Sequence, residues 1–231
     1  MKNKLLTSII SISFILCSFF GSVHFWCFNE SFYKSEHEKI MLYGKHINEH
    51  IGISEFDLDK LTSFTLDYLN DPNATLDIQM DVNGVNREIY TDDEKAHMVD
   101  VRKLNLTANY LLISSTIILV ISCFIYIKKK ESIWKLLNTY KKTLIFTLLL
   151  FSLIGFWILV DFDEFWTFFH KIFFAGNDLW LLDLRKDILI MIVPPEFFNH
   201  LVIRIVLTFV ICIITFGLLL YLIYKRRIEN D

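Results

Sequence analysis

Four long apolar runs, at residues about 5–26, 106–127, 143–160 and 201–224, constrain this chain more than any other feature. Each approaches the ~20 residues with which an α-helix crosses about 30 Å of hydrocarbon. The chain as a whole is 54% hydrophobic, with 22 Phe, which is too apolar for an ordinary soluble domain. The pattern predicts a mainly α integral membrane protein with four transmembrane helices, read as a single membrane domain over 1–231. The third run is the shortest and draws on flanking aromatics to reach the interface. The first begins with Lys2 and Lys4 as a signal peptide does. Its apolar stretch is long, however, and no small-residue cleavage site follows, so it reads as an uncleaved anchor. Leu16 before Cys17 argues against lipobox processing.

Charge sets the expected orientation. Basic residues gather at Lys2 and Lys4, from Lys128 to Lys142, and at Lys225, Arg226 and Arg227. Positively charged segments stay on the cytoplasmic side, so both termini are expected inside and residues about 28–105 and 161–200 outside. The outer segments are acidic, with 16 Asp/Glu against 8 Lys/Arg in the first and 7 against 3 in the second. That balance speaks against nucleic acid as a partner. The four cysteines lie in or beside the spans, with neither a disulfide framework nor zinc-type spacing.

The first outer segment reads as a small α+β cap. Ser54-x-x-Asp57 starts a helix, apolar residues recur at helical spacing through Leu69, and Asp71-Pro72-Asn73 stops it. Leu76, Ile78 and Met80 alternate, Asn83-Gly84 turns, and Val85 to Tyr90 returns as a β-hairpin. Thr91-x-x-Glu94 is a capping box, and no Gly or Pro follows before Ile127. One unbroken helix is therefore expected to start outside and become the second span. The second outer segment carries ten aromatics in forty residues, a density suited to the membrane interface. With a turn at Gly176-Asn177 and a stop at Pro194-Pro195, it reads as two short interfacial helices.

Two histidines stand out as carriers of chemistry, because imidazole moves protons near neutral pH. His97 shares a helix face with Asp100, which can orient it or raise its pKa. His170 shares a face with Trp166, Phe173 and Phe174, with Asp163 two turns earlier. His24, His37, His46, His50 and His200 read as exposed or interfacial. Arg204, just inside the fourth span, is costly in lipid and is a candidate to hold an oxyanion. Trp166, Phe169 and Trp180 are candidates to meet substrate or lipid. Ser114-Ser115 has no evident base, and no H-x-x-x-H or H-E-x-x-H supports a metal site. No metal or cofactor is expected. A non-enzymatic membrane protein that binds lipids or lipoproteins, and a metal-dependent membrane hydrolase, stay open as alternatives on the residues alone.

His97-Met98-x-Asp100-Val101-Arg102 opens the second span, and Phe165-x-x-Phe168-Phe169-His170-x-Ile172-Phe173-Phe174 follows the third. Asn177-Asp178-Leu179-Trp180, Asp187-x-Leu189-Ile190 and Pro194-x-x-Phe197-Phe198 come next. In order and spacing these resemble the motifs of the bacterial lipoprotein intramolecular transacylases, small four-span enzymes of Gram-positive bacteria. The resemblance implies a diacylglyceryl-modified lipoprotein N-terminus as partner, among membrane lipids. It implies transfer of the sn-2 fatty acyl group to the cysteine α-amine, giving the lyso form. It maps the family's two histidines onto His97 and His170, and the charge pattern puts both segments, and so the expected active site, at the extracellular face of the plasma membrane.

Overall fold

The structure is a computed structural model that describes residues 2–43 and 51–230. The long helices are α1 (Lys2–Cys27), α4 (Asp92–Lys128), α5 (Ile133–Val160) and α8 (Pro195–Asn230). Shorter elements are α2 (Glu30–Tyr43), α3 (Glu55–Asn70), β1 (Gln79–Val82), β2 (Val85–Glu88), α6 (Phe162–Phe173) and α7 (Ile188–Ile192). Among the described residues four helices are long and apolar enough to cross a membrane, and they are the four expected. The helices outrun the apolar runs that reveal them. α5 begins at Ile133, ahead of the run starting near 143, because nothing between them breaks a helix. α8 begins at Pro195, where a missing N–H costs nothing in a first turn.

The chain divides into two compact units. The first comprises Met1–Phe25, Ala108–Asp161 and Val202–Asp231. Buried Ile10, Tyr126, Leu136, Tyr140 and Leu220 form an apolar cluster there. Tyr140 is fully buried, and its hydroxyl donates to the Ile213 carbonyl at 2.6 Å, so the one polar atom it takes inside is satisfied. A Cβ on Gly217 would stand 3.2 Å from the Tyr140 ring, so glycine lets that ring lie against α8. About half of the unit's large apolar side chains are exposed, as expected of helices solvated by lipid.

The second unit comprises Trp26–Thr107 and Phe162–Leu201. Its core gathers Leu58, Leu61 and Tyr68 of α3, Met80 and Val82 of β1, Ile89 and Tyr90, Met98 of α4, and Ile188, Leu189 and Ile192 of α7. The expected cap elements are present. Ser54 Oγ accepts from the Asp57 N–H at 3.1 Å and caps α3. The strands pair antiparallel in the register Val82↔Val85. Asn83 at φ 55° and Gly84 at φ 82° make the left-handed two-residue turn that matches strand twist. The hairpin rests its Met80 and Val82 face on the core, which a two-stranded ribbon needs in order to persist.

The capping box at the head of α4 also forms. Glu94 accepts from the Thr91 N–H at 2.7 Å, and Thr91 Oγ1 accepts from the Glu94 N–H at 3.3 Å. Arg102 lies 4.3 Å over the Tyr68 ring and donates to the Ala74 carbonyl at 2.8 Å, while Asn105 donates to the Leu69 carbonyl at 2.8 Å. Together these bonds dock the C-terminal end of α3 and the loop after it on α4.

One expectation fails. His37 is buried, not exposed, with Nε2 donating to the Ile192 carbonyl at 2.9 Å and its ring near-parallel to Phe197. A polar helix such as α2 gives no sign of which residue will face a partner helix. His24 and His200 are exposed, as expected; His46 and His50 lie outside the described residues.

Candidate active site

Two helices supply the histidines. Residues Asp92 to Asn105 of α4 are polar and precede its apolar stretch, and His97 faces inward from them, 7% exposed. α6 is strongly amphipathic, because Phe162, Phe165, Trp166, Phe169 and Phe173 recur at three- and four-residue intervals. His170 lies along this stripe and is 8% exposed.

The second unit brings the two rings together, with centroids 6.2 Å apart and planes 28° from parallel. Phe174 touches both rings, at 5.1 Å from His97 and 5.4 Å from His170. Trp166, Phe169 and Trp180 stand 4.7, 5.7 and 5.0 Å from His170 and complete an aromatic cage.

His170 Nδ1 lies 2.7 Å from the Trp166 carbonyl. A carbonyl only accepts, so this bond assigns the proton to Nδ1 and leaves the lone pair on Nε2. Burial pushes the His170 pKa below its ordinary value, against an opposing pull from that carbonyl. His97 is pushed down to about 4, first by burial and then by His170, with Asp100 acting the other way. Both rings are therefore neutral at pH 7. His97 Nδ1 is buried and finds no hydrogen-bond partner among the described residues.

Asp100, one turn after His97, bonds Lys103 Nζ at 2.9 Å and Asn177 Nδ2 at 3.0 Å. With Leu104, Thr107 and the turn Phe173 to Asn177, it lines an open cleft of about 380 Å³. Asp163 is exposed at the start of α6 and lines a second cleft of about 380 Å³ with Glu196, Asn199 and His200. Arg204 is half-buried on α8 and belongs to the first unit. Sequence reasoning missed two side chains that matter here. Asn177 read as a turn marker and as part of a family-like motif, with no partner assigned, and Glu94 only as a helix cap, though its second carboxylate oxygen accepts from the Leu189 N–H at 2.7 Å.

Comparison with known proteins gives the family and the fold. Residues 8–198 match the profile of the lipoprotein intramolecular transacylase family, Lit. The chain belongs to that family. It is a multi-pass membrane protein and an acyltransferase, which sets aside the readings as a non-enzymatic binder or a metal-dependent hydrolase. The in meso structure of the membrane integral lipoprotein intramolecular transacylase Lit from Bacillus cereus has the same fold. It is 24% identical, with 98% of each chain covered and a TM-score of 0.76. Two structures of the Bacillus cereus protein with a single histidine mutated are 21% and 22% identical to this chain, each with a TM-score of 0.69. They cover 99% of it and 93% and 94% of their own chains. No curated protein sequence matches the chain.

Proposed function

We propose that His97 and His170 act as an acid–base pair that moves the sn-2 acyl chain of a diacylglyceryl-cysteine to the α-amine of the same cysteine, leaving a lyso-form lipoprotein. The observation that carries this is the pair of buried, neutral imidazoles 6.2 Å apart within one aromatic wall. The reaction is an isomerisation. The neutral amine attacks the sn-2 ester carbonyl and forms the C–N bond. The tetrahedral oxyanion collapses and breaks the C–O bond. One imidazole takes the proton the amine loses; passed to the other ring, that proton is given to the glyceryl alkoxide, so both imidazoles end neutral as they began.

Donor and acceptor belong to one molecule, so no covalent acyl-enzyme is required. Positioning contributes on the order of 7–11 kcal/mol in favourable intramolecular cases, and each proton transfer roughly 10²–10⁴-fold. Asp100 supports the imidazolium form of His97, the direction in which its charge already acts. Asp163 is a weaker supporting candidate, exposed two turns before His170. Trp166, Phe169 and Trp180 hold the fatty chains or glyceryl group near His170. Arg204 is the candidate to steady the oxyanion, on the ground that a cation within an apolar span is costly unless used. The positive-inside pattern supports a site at the extracellular face.

The test is mass spectrometry of lipoprotein N-terminal peptides from a host that makes diacyl lipoproteins and expresses this chain. Lyso peptides, with one acyl chain on the amine, are expected. Unchanged diacyl peptides, with the protein demonstrated in the membrane, would overturn the reading.

A further inference from the structure

Asp100 and Asn177 connect the two segments that carry the histidines. Asp100 stands on α4 one turn after His97, and Asn177 stands in the turn that follows α6. Asn177 Oδ1 accepts from the Leu179 N–H at 3.1 Å. A backbone N–H only donates, so the amide oxygen faces the turn and Nδ2 faces away. Nδ2 donates to Asp100 Oδ2 at 3.0 Å, while Asp100 Oδ1 takes Lys103. The two ends of Asn177 thus have separate tasks. The oxygen shapes the turn leading to Trp180, which packs at 5.0 Å on His170. The nitrogen ties that turn to the helix of His97. Phe174, at the head of the turn, is wedged against both rings.

We propose that Asn177 is a positioning residue, its amide acting through Asp100 to set the spacing and orientation of His97 relative to His170; this rests on the acyl-transfer reading above. His97 Nδ1 has no partner among the described residues, so its ring follows its helix and its packing. His170 is fixed by the carbonyl of Trp166, on its own helix. The spacing of the pair then depends on what joins α4 to the turn after α6, and the Asp100–Asn177 bond does so directly, in the wall of the cleft that both residues line.

The decisive variant is Asn177→Asp. It keeps an oxygen for the Leu179 N–H and so keeps the turn, but sets a carboxylate against Asp100. With a synthetic dipalmitoylglyceryl-cysteinyl lipopeptide in proteoliposomes, turnover at saturating substrate should fall roughly 10–100-fold, the scale of a misplaced catalytic group. KM should stay within about twofold, since a positioning defect acts on the reacting geometry. In the Asp100→Asn background the same change should cost little, because donor and acceptor have then exchanged sides. Equal losses in both backgrounds, or full turnover in Asn177→Asp, would overturn the proposal. If the wild-type protein forms no lyso product, the acyl-transfer reading falls, and imidazole ¹⁵N spectra decide the positioning question alone. Signals of His97 and His170 that both shift in Asn177→Asp and return in the exchanged double variant support it; unmoved signals sink it.

Discussion

The carboxylate of Glu94, fully buried, accepts from the Leu189 N–H at 2.7 Å with one oxygen and caps Thr91 with the other. A single side chain therefore closes the head of α4 and anchors α7 to it, one turn before His97. Glu94→Ala leaves the buried Leu189 N–H without its acceptor, at about 1–3 kcal/mol, and uncaps the exposed Thr91 N–H as well. The expected loss is a lowered thermal midpoint in detergent, with Glu94→Gln losing less because it keeps one acceptor. Equal midpoints for Glu94→Ala and wild type would show that the carboxylate carries no structural weight.

His97→Asn and His170→Asn should each lower the rate of lyso-product formation roughly 10²–10⁴-fold while the protein still folds. The double variant should be little worse than the poorer single, because groups that act as a unit lose their effect together. Quantified lyso peptides from membranes with matched expression check both points. Rates that multiply across the two singles would mean that the histidines act in separate steps.

The pH profile follows from desolvation. Burial lowers the His170 pKa, and His97 stands at about 4. The acid limb of kcat/KM should therefore lie below the ordinary histidine value of about 6.5. Asp100→Asn removes the charge that raises His97 and should move this limb further toward acid. Stability has a definite sign as well. These groups have folded pKa values below the unfolded one, so the unfolded chain binds more protons under about pH 6.5. The stability they favour is complete above that pH and declines as pH falls toward their folded values. Thermal midpoints measured from pH 7.5 to 5 read this directly, and a flat profile would contradict it.

Trp180 and Trp166 keep water from His170. Trp180→Ala opens the cage from the side of the turn and should raise the His170 pKa toward its ordinary value, shifting the acid limb to higher pH. Trp180→Phe keeps a ring in place and should leave the limb nearly unmoved. Should Trp180→Ala leave the profile where it was, Trp180 has no part in desolvating His170.

The elements were legible wherever local chemistry fixes them. The capping box at Thr91, the helix start at Ser54 and the Asn83-Gly84 turn all form where their residues stand, since each needs only neighbours within four positions. His37 shows the converse. Its burial depends on Ile192 and Phe197, which come from the far end of the chain. Asn177 likewise offers a turn in the sequence and a tie to Asp100 only in space.

By itself, the sequence determined that this protein spans a membrane four times, because hydropathy and length are summed along the chain. It also singled out His97 and His170 among seven histidines as the candidates for chemistry, by the residues that share their helix faces and the motifs around them. Only the tertiary structure decided that the two rings lie 6.2 Å apart, neutral and desolvated. Separation and burial are properties of packing between segments distant in sequence, and no local pattern encodes them.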